Sequence, residues 1–386
     1  MLASGLVAID RAADAGIAQI TTSYGTYVAD YDQDGDQDFL YNRHSSSEMV
    51  LYANDGSGHF TQRLSGLFPI NDRHDCAWGD VDRDGQPDTY CAVGASGGNR
   101  IKANELWLQR PDHTFVRAPD AWGADDPYGR GREPALLDVD GDGVLDLFVG
   151  NFYPRTDDLP TPNRLYLQDP AGTFRSAPGY GLDVQIGGQC AEPADFDGDG
   201  DTDLLVCAHG TGINVKLYRN EAGASFKDVA AAHGLTGQWC DALWTDLNLD
   251  GRLDLTLMNR KTFRVLKQRS DGTFATVYER SMNRAGCRFG GGGNRVAAGD
   301  VNGDGFPDLY VLYSGYTSGA YNLPDVFLVN DGTGAGFSTA SLPQTSKGSG
   351  FSVAAIQADG DPPTEFLVTN GRGNLKGPIQ LIDFGA

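Results

Sequence analysis

Residues 30–38 read DYDQDGDQD, and the pattern behind them, Asp-x-[Asp/Asn]-x-Asp-Gly-x-x-Asp, recurs through the chain. Copies begin at regular steps of 50, 58, 57, 51 and 54 residues, at Asp30, Asp80, Asp138, Asp195, Asp246 and Asp300. A seventh, eroded copy runs from Gln357 to Glu365. A near-constant step of this length indicates one structural unit repeated seven times.

Each of the six good copies has the composition of a calcium loop. Calcium takes six to eight oxygen ligands, and alternate side chains on a tight loop converge on one point. We therefore predict side-chain ligands at loop positions 1, 3, 5 and 9, a backbone carbonyl at position 7, and a turn at the position 6 glycine. The predicted ligands are Asp30, Asp32, Asp34, Asp36, Asp38; Asp80, Asp82, Asp84, Gln86, Asp88; Asp138, Asp140, Asp142, Val144, Asp146; Asp195, Asp197, Asp199, Asp201, Asp203; Asp246, Asn248, Asp250, Arg252, Asp254; and Asp300, Asn302, Asp304, Phe306, Asp308.

Two other interpretations of these loops were weighed. An EF-hand needs a bidentate Glu at position 12, where this chain has Tyr41 and Cys91 in the first two copies. Asp- and Gly-rich segments are also ordinary surface turns, but six copies in register favour metal binding. We expect about six Ca²⁺ sites and assign none to the seventh loop, where Gln357 replaces the first Asp and Pro362 replaces the glycine.

The flanks of each loop predict β-strands. Short runs rich in β-branched and aromatic residues lie on both sides, such as residues 25–29 and 39–41, and two further strands follow in each repeat. The fourth strand is headed by an aromatic residue: Phe60, Phe115, Phe174, Phe226, Phe274 or Phe337. The prediction is an all-β, seven-bladed β-propeller over residues 1–386 as a single domain, with four antiparallel strands per blade. Residues 6–9 should complete the last blade and close the ring.

With these loops and strands, the chain resembles the FG-GAP/VCBS-repeat proteins, calcium-binding propellers related to the integrin alpha-subunit head and to the cartilage acidic protein/UnbV group. The resemblance covers essentially the whole chain. It implies the propeller fold and bound calcium. It implies little about activity, because propellers host unrelated functions.

Composition and cysteines indicate a compartment outside the cytosol. The net charge of −22 would fall to about −10 with six Ca²⁺ bound, and such loops commonly bind in the weak, extracellular range. Opposed positions in two hairpins favour Cys76–Cys91 and Cys190–Cys207 disulfides, with Cys240–Cys287 as a less supported third; six buried free thiols are the alternative. We expect an extracellular or periplasmic monomer whose signal peptide is absent or removed, with no membrane span and no nucleic-acid partner.

Candidate functional residues lie on the face opposite the calcium loops. Residues at similar offsets before each first loop position should meet near the axis and bind a ligand: Tyr24, His74, Arg132, Gln189, Trp239, Asn294 and Phe351, with Arg295 beside them. Asp75, Glu133 and Asp241 lie one or two positions away. Longer loops above them carry His44, Tyr153, Arg155 and His209. The alternative is that these residues line a wet channel and satisfy one another.

Two classes of function fit this sequence. The first is a binding module for a glycan, a protein or a small molecule at the central face. The second is an enzyme of lyase or cyclase type that uses His74, Arg132, Glu133, Tyr153 or Asp241 in the central cleft. The sequence has no serine-hydrolase elbow, HExxH, P-loop or paired-cysteine zinc motif.

Overall fold

The computed structural model describes residues 2–43, 48–63, 68–94, 102–152, 161–208, 212–282, 295–313, 324–343, 350–360, 362–371 and 376–385. In these residues the strands form seven separate sheets. Six sheets contain four consecutive antiparallel strands, and the seventh contains three consecutive strands and a fourth from the amino terminus. The predicted seven-bladed propeller is therefore confirmed, and blade 1 is taken as the blade that holds the loop at Asp30.

The first and second strands of each blade enclose the nine-residue loops. The first strands are Thr26–Ala29, Arg73–Gly79, Gly131–Leu137, Gly188–Ala194, Asp241–Thr245, Val296–Gly299 and Gly350–Ile356. The second strands are Asp38–Tyr41, Asp88–Val93, Asp146–Asn151, Asp203–Ala208, Asp254–Met258, Asp308–Val311 and Glu365–Asn370. Every second strand thus begins at loop position 9.

The third and fourth strands form the outer half of each blade. The third strands are Val50–Asn54, Glu105–Gln109, Arg164–Gln168, Lys216–Asn220, Thr262–Gln268, Val326–Asn330 and Gly377–Asp383. The fourth strands of blades 1 to 6 are Phe60–Gln62, Phe115–Arg117, Phe174–Ser176, Phe226–Asp228, Phe274–Ser281 and Phe337–Ser341. Each begins at its predicted aromatic residue. Short 3₁₀ turns cover Asp120–Trp122 and Pro178–Tyr180, and no helix in the described ranges is long and apolar enough to cross a membrane.

The amino-terminal segment closes the ring, as predicted, but with a shorter strand. Ile9–Asp10 is the outer strand of blade 7 and pairs antiparallel with Gly377–Asp383. Leu2–Val7 pairs in parallel with Phe337–Ser341 and adds a fifth strand to blade 6. The amino-terminal segment therefore joins the last two blades, and Ile20–Thr21 makes a further pairing with blade 7.

The hydrophobic core is divided among the spaces between blades. Seven clusters of buried side chains in the described residues each draw on two neighbouring sheets; one joins Phe39 and Tyr41 of blade 1 to Leu367 of blade 7. A sheet buried on both faces needs apolar side chains at successive positions. This explains the unbroken apolar runs after each loop, such as the fully buried strand Asp38–Tyr41.

Two cross-strand disulfides lie in these inner hairpins. Cys76 is bonded to Cys91, and Cys190 to Cys207, each pair directly opposite in the register of the first two strands. Cys240 is also disulfide-bonded, while its predicted partner Cys287 lies outside the described residues. The two better-supported predictions are confirmed.

Candidate functional site

The six good loops share one internal hydrogen-bond pattern. The position 1 carboxylate accepts a hydrogen bond from the backbone N–H of the position 6 glycine, for example Gly35 to Asp30 at 3.1 Å and Gly305 to Asp300 at 2.8 Å. The same bond is present in the other four loops. The position 6 glycines all have positive φ, between 82° and 98°, where a side chain would be strained. This is why the glycine is repeated with the acids.

Position 5 is held in the same way. Its carboxylate accepts the backbone N–H of position 7, at 2.8 Å from Val144 to Asp142 and 2.9 Å from Phe306 to Asp304. The equivalent bonds involve Asp36, Gln86, Asp201 and Arg252. The position 7 residues therefore sit in equivalent backbone positions despite their different side chains, as a backbone-carbonyl ligand requires.

The position 9 carboxylates are the most buried of the loop acids. Asp38, Asp88, Asp146, Asp203, Asp254 and Asp308 are at most 1% exposed. One oxygen accepts the N–H of loop position 2, and the other accepts the N–H of the last residue of the third strand. In blade 3 these donors are Val139 at 2.9 Å and Gln168 at 2.8 Å. Position 9 thus ties the loop to the outer half of its own blade.

Burial raises the pKa of every position 9 carboxyl group. The pKa values rise to about 6 for Asp38, Asp254 and Asp308 and to about 7 for Asp88, Asp146 and Asp203. The backbone donors oppose this shift, but burial is the larger effect. A nearby cation would favour the ionised form of these groups.

The donor set fits a hard divalent cation. Groups of three carboxylates have oxygens within 4.8 Å of one another in four loops: Asp30, Asp32 and Asp38; Asp80, Asp82 and Asp88; Asp138, Asp140 and Asp146; and Asp195, Asp197 and Asp199. Buried carboxylate oxygens of Asp30, Asp32 and Asp82 have no hydrogen-bond donor among the described residues. Burial, followed by the neighbouring loop carboxylates, raises the pKa of Asp82 and Asp197. Oxygens crowded without donors are what bound calcium would satisfy.

Blades 5 and 6 differ at position 3, where an amide replaces a carboxylate. Asn248 donates to Asp250 at 2.8 Å and Asn302 donates to Asp304 at 3.0 Å. In blade 5 the Arg252 guanidinium also contacts Asp250. Both loops offer one carboxylate fewer, and in blade 5 Arg252 neutralises part of the remaining charge, so these two loops are weaker candidate calcium sites than the other four.

The eroded seventh loop keeps the position 9 role but changes its surroundings. Glu365 accepts the N–H of Ala358 at 3.0 Å, and burial raises its pKa to about 8. A cavity of about 270 Å³ beside it is lined in part by Arg11, His59 and Asp359. Asp361, at position 5, lies outside the described residues.

On the opposite face, four predicted axial residues occupy β-bulges at the start of the first strands. The register pairs Arg73 with Val93 and Asp75 with Ala92, which leaves His74 as the extra residue. The same irregularity leaves Arg132, Gln189 and Phe351 extra in blades 3, 4 and 7. A bulge changes the direction of a side chain, and such bulges are frequent next to functional sites.

The aromatic residues connect these positions across blades. The Tyr24 ring lies 6.2 Å from His74 and 4.6 Å from Phe351, and the Arg295 guanidinium lies 5.3 Å from the Phe351 ring. Side chains from blades 2, 1, 7 and 6 are therefore in sequence on this face of the ring. We call these residues, together with the bulge residues of blades 3 and 4, the mouth, and define it by Tyr24, His74, Arg132, Gln189, Arg295 and Phe351.

Arg132 of the mouth has contacts within its own blade, and the predicted positions outside the mouth have different locations. Arg132 lies 4.9 Å from the Phe152 ring and donates to the carbonyl of Gly131 at 2.7 Å. Trp239 is 2% exposed and packs in the hydrophobic cluster between blades 4 and 5, so the structure gives it a packing role. Asn294 and Tyr153, together with His44, Arg155 and His209, lie outside the described residues.

Four carboxyl groups from the first strands interact with one another: Asp75, Glu133 and Asp241 are buried, and Glu192 is half-buried. Burial, then the neighbouring Asp75, raises the pKa of Glu133 well above its usual range. Burial raises the pKa of Asp241 to about 7, opposed by Arg295, whose backbone N–H donates to it at 2.8 Å. Glu192 also has a raised pKa, through burial and then through Asp241 and Asp75. Each of these three shifts favours the protonated form of the carboxyl group.

Two features were missed from the sequence. Arg73 and Glu105 form a buried ion pair at 2.6 Å, with both side chains at most 6% exposed. Asn or Gln ends the third strand in six blades, at Asn54, Gln109, Gln168, Asn220, Gln268 and Asn330. This amide lies six residues before the aromatic head of the fourth strand in five repeats and seven in the sixth, so aligning the repeats reveals it.

Comparison with known families agrees with this geometry. The FG-GAP-like repeat matches residues 30–91, 80–149, 153–206, 195–255 and 246–311, and the FG-GAP repeat matches residues 292–337. The chain belongs to the FG-GAP repeat family. Cartilage acidic protein 1 is 29% identical in Homo sapiens and 28% in Mus musculus, in both cases over 178 residues, 41% of this chain and 25% of the relative. This FG-GAP chain thus matches about a quarter of the length of these relatives.

Two solved structures share the fold. One is from a study of recognition of non-reducing terminal N-acetylglucosamine by an Agrocybe aegerita lectin, with 18% identity, a TM-score of 0.51, and coverage of 83% of this chain and 80% of the lectin chain. The other is BBS1N in complex with ARL6DN, with 10% identity, a TM-score of 0.56, and coverage of 96% and 94%. At these identities the likeness concerns the propeller fold of the FG-GAP chain alone.

Proposed function

We propose that this FG-GAP chain is a calcium-stabilised extracellular binding module that recognises a glycan or protein ligand at the mouth, on the face opposite the calcium loops. It acts as a monomer, with calcium as a structural component of the scaffold. The four bulges that redirect His74, Arg132, Gln189 and Phe351 carry the ligand-binding proposal.

The chemistry of the mouth supports recognition of a polar ligand. Gln189 is 7% exposed, and its amide nitrogen has no hydrogen-bond partner among the described residues. A buried amide without a partner costs free energy, which a ligand or water can recover. The Tyr24 ring, which packs against the buried Phe351, adds an aromatic group of the kind that sugar rings and peptide side chains contact.

Three observations support the extracellular location. The two described disulfides suit an oxidising compartment. Loops of this kind bind calcium at concentrations found outside cells. The relatives are cartilage acidic proteins, which are named for a tissue that consists largely of extracellular matrix.

Binding can be tested with an array of immobilised glycans and matrix proteins, followed by titration of the strongest hit. Gln189→Ala and His74→Ala should each weaken that interaction about tenfold or more. Arg219→Ala is the matched control, because Arg219 lies on a third strand and pairs with Glu221 away from the mouth. Binding that survives both mouth variants, or is lost equally in the control, would contradict the proposed site.

The enzyme alternative rests on Glu133, because burial raises its pKa well above the usual range, which is the direction of shift that a general acid requires. The bound glycan should therefore also be incubated with the protein and checked for cleavage products. A His74→Ala, Glu133→Gln double variant should abolish turnover in an enzyme, whereas in a binder it only weakens affinity. If the natural chain forms product and this variant does not, the result would favour the enzyme.

A further inference from the structure

The Asn or Gln that ends the third strand reaches into the preceding blade. Its side-chain amide donates to the backbone carbonyl of loop position 2 there. In the described residues the pairs are Asn54 to Ala358 (2.7 Å), Gln109 to Tyr31 (2.8 Å), Gln168 to Val81 (3.1 Å), Asn220 to Val139 (2.8 Å), Gln268 to Phe196 (2.7 Å) and Asn330 to Leu247 (2.7 Å). Six blade junctions carry the same bond.

Both ends of this bond lead to a position 9 carboxylate. The backbone N–H of Asn220 donates to Asp203 of its own blade at 2.8 Å, while its side chain holds the carbonyl of Val139. The N–H of Val139 donates to Asp146 at 2.9 Å. One amide residue thus connects the carboxylate of blade 4 to that of blade 3. We call the repeated arrangement the amide relay.

The amide relay runs in one direction around the ring. It passes from blade 6 through blades 5, 4, 3, 2 and 1, and it ends at Ala358 and Glu365 of blade 7. In the other blades the relay amide lies two residues after the partner of the first residue that follows the loop; in blade 7 that partner is Ile382, so the equivalent residue is Phe384. A phenyl ring has no N–H to donate, so this side chain cannot continue the relay.

We propose that the amide relay couples neighbouring calcium loops, with each Asn or Gln acting as a positioning residue for the loop of the preceding blade. This inference rests on the proposed calcium binding. Position 2 lies between the ligands at positions 1 and 3, so a bond to its carbonyl orders the segment that presents both. A loop ordered in advance loses less entropy when the ion binds.

The coupling also has a physical route back to the donor blade. Calcium in blade 4 would fix Asp203, and Asp203 accepts the backbone N–H of Asn220. A fixed Asn220 backbone holds the side chain that bonds Val139. Calcium in one loop therefore favours calcium in the preceding one, and by linkage the reverse also holds.

Hydrogen exchange measured by mass spectrometry along a calcium titration tests this loop by loop. In Asn220→Leu, the calcium concentration that half-protects residues 138–146 should rise about fivefold, the loss expected for one hydrogen bond of about 1 kcal/mol. The loop at residues 300–308 should be unchanged. Asn220→Gln should behave like the natural chain, because Gln occupies the equivalent position in blades 2, 3 and 5.

A second variant, in the next blade, distinguishes loss of the relay bond from general misfolding, because its effect should appear in a different loop. In Gln268→Met the shift should appear at residues 195–203, whose position 2 is Phe196. Equal shifts in all loops, or none in the preceding loop, would overturn the coupling while leaving calcium binding intact. If the unsubstituted chain gains no protection from calcium in any loop, the proposed calcium function fails as well.

Discussion

Tyr24 of blade 1 packs against Phe351 of blade 7 with ring centroids 4.6 Å apart, so the contact lies where the two ends of the repeat array meet. Phe351 is 2% exposed and also lies beneath Arg295. Phe351→Ala should destabilise the calcium-loaded protein by about 3 kcal/mol, the usual result of emptying a buried aromatic site. Denaturant unfolding of the natural chain and the variant measures this loss of stability.

The control for this variant is Tyr128→Ala, because Tyr128 is 64% exposed. Loss of an exposed aromatic residue should change stability by about 0.5 kcal/mol or less. Equal stability of the two variants would show that the contact between Tyr24 and Phe351 does not support closure of the ring.

Calcium removal should lower the thermal stability of the whole ring. Six sites, each at ten times its dissociation constant and summed without the coupling between neighbours, add about 8 kcal/mol to the folded state. For a chain of 386 residues this corresponds to a fall in Tm of about 10 °C on chelation. Calorimetry in calcium, in magnesium and in chelator measures the three Tm values and so checks the expected fall. An identical Tm in calcium and chelator would contradict a structural role for the loops.

The blade architecture could be predicted from the sequence because each repeat contains residues with strong local requirements. Gly35 and its equivalents need positive φ, the loop acids need a shared positively charged partner, and Phe60 and its equivalents begin the fourth strand. Each signal recurs six times, so chance matches are easily recognised. The closing strand of blade 7 was predicted at residues 6–9 but is Ile9–Asp10, because a strand of two residues carries little pattern.

The mouth was only partly predictable, because similar offsets before the loops do not give similar side-chain directions. His74 and Arg132 lie at bulges, whereas Trp239 packs between blades. A bulge depends on the pairing of two strands, which no single stretch of sequence reveals. His233 donates a hydrogen bond from Nδ1 to the carbonyl of Gly272 at 2.7 Å and packs against the Phe196 ring, contacts between sequence-distant residues that no single stretch of sequence reveals either.

The disulfides should contribute measurably to stability. Cys76 and Cys91 are separated by 15 residues, for which closure of the unfolded loop is worth about 3 kcal/mol. A Cys76→Ala, Cys91→Ala double variant should lose about 2 to 3 kcal/mol in denaturant unfolding, and the Cys190→Ala, Cys207→Ala variant a similar amount. Intact mass before and after reduction in denaturant gives the number of bridges. A natural chain whose mass does not rise on reduction would contradict the bridges.

The pH dependence of stability should reveal whether calcium occupies the position 9 carboxylates. Without calcium their folded pKa values, about 6 to 7, lie above the value of an exposed Asp. A raised carboxyl pKa means that the folded state binds more protons than the unfolded state. The contribution of these groups to stability is therefore fully present at low pH and is lost as the pH rises through about 7. In chelator, Tm should therefore increase from pH 8 to pH 6.5.

Saturating calcium should flatten this profile, because the ion holds the same carboxylates ionised. Some dependence of Tm on pH should remain, since burial also raises the pKa of Asp241 and Asp325 to about 7 and neither residue belongs to a calcium loop. Asp325→Asn should reduce that residual slope in both conditions without changing the difference between them. Melting curves at several pH values, with a chelator whose calcium affinity is constant over the range, give both slopes. Parallel profiles with and without calcium would show that the ion does not reach position 9.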